Sequence, residues 1–240
     1  MTRKSDLLAS ASKHLYLFEK EKGGVGSTGT LMTVAHMLIM RKVHIILIEA
    51  SLTQLDVKHA YGGRHTVEEL DLTATDASDR LIDIVDAAPA GARILANIPG
   101  GRIEEIDAVH QTINYAQSEM GIELPTSVVW TMGRDAASRF TLDAVLAGDL
   151  PGPVLLNLPA WAGEFEDYTH VDDELVRQIE ATGGSVFQTP KMPAHIYDHF
   201  RTHESAMDDL VQRPGTTLGT KVAIRQWAKI ADEALWDIFL

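Results

Sequence analysis

The sequence predicts an α/β fold, a mainly parallel β-sheet with helices on both faces, and three observations carry that prediction. Continuous apolar runs such as Val43-His44-Ile45-Ile46-Leu47-Ile48 suit strands covered on both sides rather than strands with one wet face. These runs alternate with segments of helical length, the pattern of a parallel sheet whose crossovers are helices. A glycine-rich stretch, Glu21-Lys22-Gly23-Gly24-Val25-Gly26-Ser27-Thr28-Gly29-Thr30, joins the first strand to the first helix. Ligands in such sheets bind beyond the C-terminal ends of the strands, so this turn is the first place to look for a site.

Residues 1–12 carry basic residues but no long apolar run, and are expected to be a flexible lead-in to a single domain over 13–240. The first strand is His14-Leu15-Tyr16-Leu17-Phe18 and the first helix covers 31–40. The second strand, 43–49, ends on Glu49. Between 60 and 90 the chain is rich in acid and punctuated by Gly62-Gly63 and Pro89. There, 67–70 and 80–87 read as short surface helices, with Asp79 and Asp83 on one solvated face. A third strand, 92–97, opens into Ile98-Pro99-Gly100-Gly101. Ile103, Ile106, Val109 or His110, and Ile113 give 103–120 the stripe of a covering helix. Strands at 126–132, 153–157 and 185–190 follow, separated by helices at 136–147 and 171–181. The last helix, 221–240, carries Ile224, Trp227, Ala231, Leu235 and Ile238 on one stripe.

Composition narrows the function. A 240-residue chain with 45% hydrophobic and 23% charged residues can bury a large core. It has no cysteine, so disulfides, thiolate metal sites and thiol nucleophiles are excluded, and a cytoplasmic protein is expected. No run is long enough to span a bilayer. The net charge of −13 makes strong direct DNA binding through the whole surface unfavourable, because phosphate contacts need lysine and arginine. Residues 1–42 hold seven Lys/Arg against three Asp/Glu, whereas 43–124 hold five against fourteen, a net of −9. An anionic ligand should therefore approach the N-terminal third.

Strand, glycine loop and helix are the context of a phosphate-binding loop. Glycines let successive backbone N–H groups point inward and cradle phosphate at a helix N-terminus. Thr28 stands where a hydroxyl can ligate Mg²⁺. The bland alternative is a glycine-rich turn with no ligand.

The loop resembles the deviant Walker A motif of the ParA/MinD family of P-loop ATPases, Lys-Gly-Gly-x-Gly-Lys-[Ser/Thr], in which the first lysine is a signature. Lys22 matches that lysine and Gly23, Gly24, Val25 and Gly26 match the loop, while Ser27 stands where the second lysine holds the β- and γ-phosphates. The resemblance implies a P-loop nucleotide-binding fold that takes ATP or ADP with Mg²⁺, Thr28 being the metal-ligating hydroxyl and Gly29 the next loop position. It implies a switch role for Glu49, and it places Asn97 where the family's Walker B aspartate stands. An amide there hydrogen-bonds but carries no charge to hold a metal ion. Asn157 falls where an asparagine reads adenine through its donor and acceptor pair, and Gln188 and Pro190 fall beside the base. Leu156-Asn157-Leu158-Pro159-Ala160-Trp161 and Val186-Phe187-Gln188-Thr189-Pro190 narrow the resemblance to the TraL-type branch, which acts in plasmid conjugation and partition. That branch implies a homodimer with a plasmid-transfer or partition protein as partner.

Three functions remain open on the sequence. One is a nucleotide-dependent dimerising switch with impaired hydrolysis, Lys22 reaching the partner's phosphates. Another is a pseudo-ATPase that keeps the fold without the ligand. In the third, an active ATPase, Lys20 or Lys22 takes over the missing charge, because phosphoryl transfer depends mostly on positioning and electrostatics. Three further features carry weaker expectations. His195, His199 and His203 are spaced to share a helix face and could ligate zinc, though a solvated or packing face is the simpler reading. Arg134 and Arg139 either meet a partner or sit solvated at a helix start. The terminal helix is too acidic at its end for a membrane tail and should dock on the domain's own sheet or on a second subunit.

Overall fold

The computed structural model describes residues 12–51, 54–203 and 206–240, without the side chains of 199–203. Seven strands form the sheet: β1 His14–Glu19, β2 Ile45–Glu49, β3 Val67–Glu69, β4 Arg93–Asn97, β5 Thr126–Thr131, β6 Val154–Asn157 and β7 Ser185–Phe187. Their order is β3-β2-β4-β1-β5-β6-β7, and every pairing is parallel. The mainly parallel sheet expected from the sequence is thus parallel throughout. β1 lies between β4 and β5, so the chain winds outward in both directions from it and leaves a crevice at its C-terminal end.

Period-two alternation along β1 sorts the helices into two layers. Tyr16 and Phe18 face a layer built by α1 Ser27–Met40, α2 Asp56–Tyr61, α7 Ala194–His203, α8 Met207–Gln212 and α9 Leu218–Phe239. Leu15 and Leu17 face the other side, where α3 Ala77–Ala87 and α4 Ile103–Ser118 pack. Beyond them on that side, α5 Ala136–Leu146 and α6 Asp173–Ala181 cover β5 and β6 through Leu142, Val145, Leu175 and Ile179. The terminal helix α9 docks on the domain itself. Its Ile224, Trp227, Ala231 and Leu235 are buried, and Arg41 at the end of α1 pairs with Asp232 at 2.5 Å and lies 4.6 Å over the Trp236 ring.

Two expectations need correction here. Residues 67–69 are an edge strand and not a surface helix: Leu47 donates to the Thr66 carbonyl, Leu70 donates to the Glu49 carbonyl, and Val67 sits opposite Leu47. A sheet edge offers ready backbone partners, and these outweigh the weak helix signal of Val-Glu-Glu. The first helix begins at Ser27 rather than at 31, because the threonines and glycine of its first turn conceal the start. The short helices α2 and α8 carry too few turns for a periodic signal. Asp79 and Asp83 are exposed as expected. Of the histidine trio, His195 is exposed at the start of α7, whereas the side chains of His199 and His203 lie outside the described residues. The expected lead-in likewise falls outside them, except for residue 12.

Candidate functional site

The site is built where β1, β4, β5 and β6 end. In the loop after β1, Gly24 has φ 84° and Gly26 has φ 99°, a left-handed backbone that costs other L-residues about 1–2 kcal/mol. Gly26 is the N-cap of α1, whose first N–H groups have no partner within the helix. Neighbouring loops brace the turn. A Cβ on Gly100 would stand 2.7 Å from the Lys22 Cα, so the loop after β4 runs against the backbone of Lys22. A Cβ on Gly133 would meet Val25 from the side of β5 at 3.4 Å. Above Gly23 and Gly24 the space is open.

Ser27 opens α1 and is 1% exposed, and its hydroxyl has no hydrogen-bond partner among the described residues. An unpartnered buried hydroxyl costs about 1–3 kcal/mol. A phosphate oxygen at the helix N-terminus would satisfy it together with the free N–H groups. The open face at Gly23 and Gly24, the two left-handed glycines and this hydroxyl therefore fit a phosphate group.

Neither candidate lysine replaces the missing charge. Lys22 points away to an exposed pair with Asp135 at 2.5 Å; this hydrogen bond is the main cause that raises its pKa above the ordinary lysine value. Lys20 is buried and donates to the Ile98 carbonyl at 2.7 Å. Burial holds its pKa down to about 8, against the attraction of Glu49 and Asp56.

Thr28, Asn97 and Glu49 form one chain of hydrogen bonds. The Thr28 hydroxyl donates to Asn97 Oδ1 at 3.2 Å, and Asn97 Nδ2 donates to Glu49 Oε1 at 2.8 Å. Glu49 is fully buried, and it also accepts from the backbone N–H groups of Val57 at 2.9 Å and Ser51 at 3.3 Å. Burial raises its pKa, and these hydrogen bonds oppose the rise. Glu49 thus anchors the N-terminal turn of α2 to the end of β2, a use of a carboxylate that favours helix starts. Magnesium prefers anionic oxygen ligands in near-octahedral geometry. This set offers one hydroxyl oxygen, one neutral amide and one carboxylate already holding three donors, so it lacks the free anionic oxygen that ion prefers and fits it poorly. Among the described residues no group of three or more His, Cys, Asp or Glu could hold a metal.

Asn157 has an interior task. It is 0% exposed; its Nδ2 donates to the Thr30 hydroxyl at 2.7 Å, and its Oδ1 accepts from the Thr189 N–H at 3.1 Å and hydroxyl at 2.9 Å. These bonds tie α1 to the ends of β6 and β7 and engage both ends of the amide that the resemblance places beside adenine. Replacing Asn157 with leucine should destabilise the fold by about 2–4 kcal/mol, because three buried groups of Thr30 and Thr189 lose this partner. Urea unfolding measures this; an unchanged midpoint would contradict the assignment. Gln188 and Pro190 lie in the loop after β7, and the Gln188 Nε2 is a buried donor without a hydrogen-bond partner among the described residues.

Two features had no assigned role on sequence grounds. Trp161, in the loop after β6, lays its indole on the glycine loop: a Cβ on Gly26 would meet its ring at 2.5 Å and one on Gly29 at 3.7 Å. The signal available was an aromatic residue just beyond a strand end. Beneath the loop, Glu19 at the end of β1 pairs with His110 of α4, Oε1 to Nε2 at 2.7 Å, both buried. Here the signal was a titratable residue on an otherwise apolar helix stripe. Arg134 and Arg139 are engaged locally, Arg134 donating to the Ala162 carbonyl and Arg139 pairing with Asp143 and Asp172.

No protein-family model matches the chain. In sequence it is 23% identical over 225 residues to Protein MobD of Acidithiobacillus ferrooxidans, a match spanning 93% of this chain and 97% of that protein. Among solved structures it is similar to the MinD cell division protein of Aquifex aeolicus, with a TM-score of 0.49, 14% identity and coverage of 92% of this chain and 96% of that one. A ParA family ATPase from Chlorobium tepidum TLS aligns with a TM-score of 0.48 and 11% identity over 91% of this chain and 98% of that one. The chain resembles the ParA/MinD-type P-loop proteins in its Lys-Gly-Gly-Val-Gly loop and in a doubly wound parallel sheet with that loop at its switch point. Among the described residues no helix is long and apolar enough to cross a membrane.

Proposed function

We propose that this protein is a nucleotide-binding switch that takes ATP or ADP in its glycine loop, hydrolyses ATP slowly or not at all, and dimerises around the bound nucleotide. The observation that carries the reading is the buried, unpartnered Ser27 hydroxyl at the start of α1, beneath an open, left-handed glycine turn. A fold that had abandoned its ligand would have no reason to keep this arrangement, and that argues against an empty interaction module.

Slow hydrolysis follows from the charges. In-line phosphoryl transfer depends on cations placed at the transferring group. Lys20 is spent on the Ile98 carbonyl, Asn97 is neutral, and Glu49 is enclosed by donors. Lys22 is different. Its pair with Asp135 is exposed and therefore weakened by solvent and salt, so Lys22 is released cheaply toward a second subunit's phosphates. The TraL-type resemblance supports a role in plasmid transfer or partition, with a protein of that machinery as partner, in the cytoplasm.

Trp161 reports on the loop it covers. Titration with ATP or ADP should change the intrinsic fluorescence saturably, and the change should vanish in Trp161→Phe, which leaves Trp130, Trp227 and Trp236 in place. A flat titration, or the same change in the variant, would count against ligand entry at this loop. Sedimentation with ATP should show a dimer, and phosphate release should stay near background.

A further inference from the structure

We propose, resting on the nucleotide reading above, that this protein binds its nucleotide without a divalent cation, the metal position being taken over by an internal hydrogen-bond chain and the resident ammonium of Lys20. A metal ion bridging phosphate to a protein needs a free oxygen ligand and negative charge that is not already committed. Around Thr28 the structure leaves lone pairs on the hydroxyl oxygen but no negative charge that is uncommitted. The Thr28 hydroxyl is paired to Asn97 Oδ1, and Asn97 turns its amide nitrogen to Glu49. Glu49 is the one carboxylate in this chain of bonds, and the backbone N–H groups of Ser51, just after β2, and of Val57, at the start of α2, complete its set of three donors.

A positive charge already stands at this end of the sheet. Lys20 follows β1 directly, is buried to 8% exposure, and donates to the carbonyl of Ile98, the residue after Asn97. Its ammonium sits in the field of Glu49 and Asp56, the acidic groups that would otherwise attract a cation. An ammonium fixed on the carbonyl of the residue after Asn97 opposes entry of a second positive ion. Asn97 and Lys20 thus act in the same direction from the ends of different strands.

Calorimetric titration of ADP and ATP into the unaltered protein, in excess magnesium chloride and in excess EDTA, tests this. The two dissociation constants should agree within about threefold, a difference well under the 1.4 kcal/mol of a tenfold change. Asn97→Asp should create a magnesium preference of about tenfold or more, and Lys20→Met a preference in the same direction. Manganese titrated in the presence of ADP should show no protein-dependent enhancement of water-proton relaxation with the unaltered protein and a clear one with Asn97→Asp. A tenfold preference for magnesium in the unaltered protein would overturn the inference while leaving nucleotide binding intact. Absence of binding in both buffers would remove the nucleotide reading and this inference with it.

Discussion

Replacing Ser27 with lysine should tighten ATP binding by about ten- to a hundredfold. The hydroxyl at this position is buried, unpartnered and uncharged, and the ends of both nearby lysines are committed elsewhere, to Asp135 and to the Ile98 carbonyl. A charge-assisted hydrogen bond contributes about 1.5–3 kcal/mol, and each 1.4 kcal/mol is tenfold in affinity. ATP should gain more than ADP, because the added ammonium lies toward the terminal phosphates in loops of this type. A thermal melt without nucleotide separates this gain from any cost of placing a long side chain at a buried position. Unchanged ATP affinity in a folded variant would show that another group already offsets the phosphate charge.

Replacing His110 with leucine should cost about 3–5 kcal/mol of stability, the usual penalty for breaking a buried pair and leaving one charge behind. Glu19 is 1% exposed, and its second oxygen already has no hydrogen-bond partner among the described residues. Burial works against protonation of His110, and the charge and hydrogen bond of Glu19 overcome it, so the histidine pKa is raised. A raised histidine contributes stability that is fully present below its ordinary value and is lost as the pH climbs through the raised one. Urea unfolding of the unaltered protein should therefore weaken across that range on the alkaline side, and the leucine variant should lack that component. A variant with unaltered stability and the same pH response would contradict the assignment. Because the pair sits beneath the glycine loop, its loss should also loosen the cradle.

The strands of the sheet were legible because a parallel sheet covered on both faces writes itself as apolar runs, and Ile45–Glu49 and Val154–Asn157 are buried throughout. The edge strand at Val67–Glu69 was not, since an edge carries little apolar pattern and is defined by the neighbour it pairs with. In the site, the glycine loop could be read directly, as Gly24 and Gly26 adopt the backbone that only glycine takes at low cost. Side-chain partners could not be read. Asn157 is held by Thr30 and Thr189, 127 and 32 residues away, and no local pattern announces such a tie. Lys20 and Lys22 are two residues apart in sequence, yet one is buried on a carbonyl and the other stands exposed beside Asp135. Strand direction and loop bracing decide that difference, and both arise from tertiary packing.

Calorimetric titration of ATP into the unaltered protein, with Ser27→Lys run beside it, tests the central claim most directly. Saturable binding at one site per chain by the unaltered protein, tightened in the variant, is the predicted result. Silence from both proteins would contradict the account, because the buried serine hydroxyl and the open glycine turn would then be relics of the fold rather than a phosphate site.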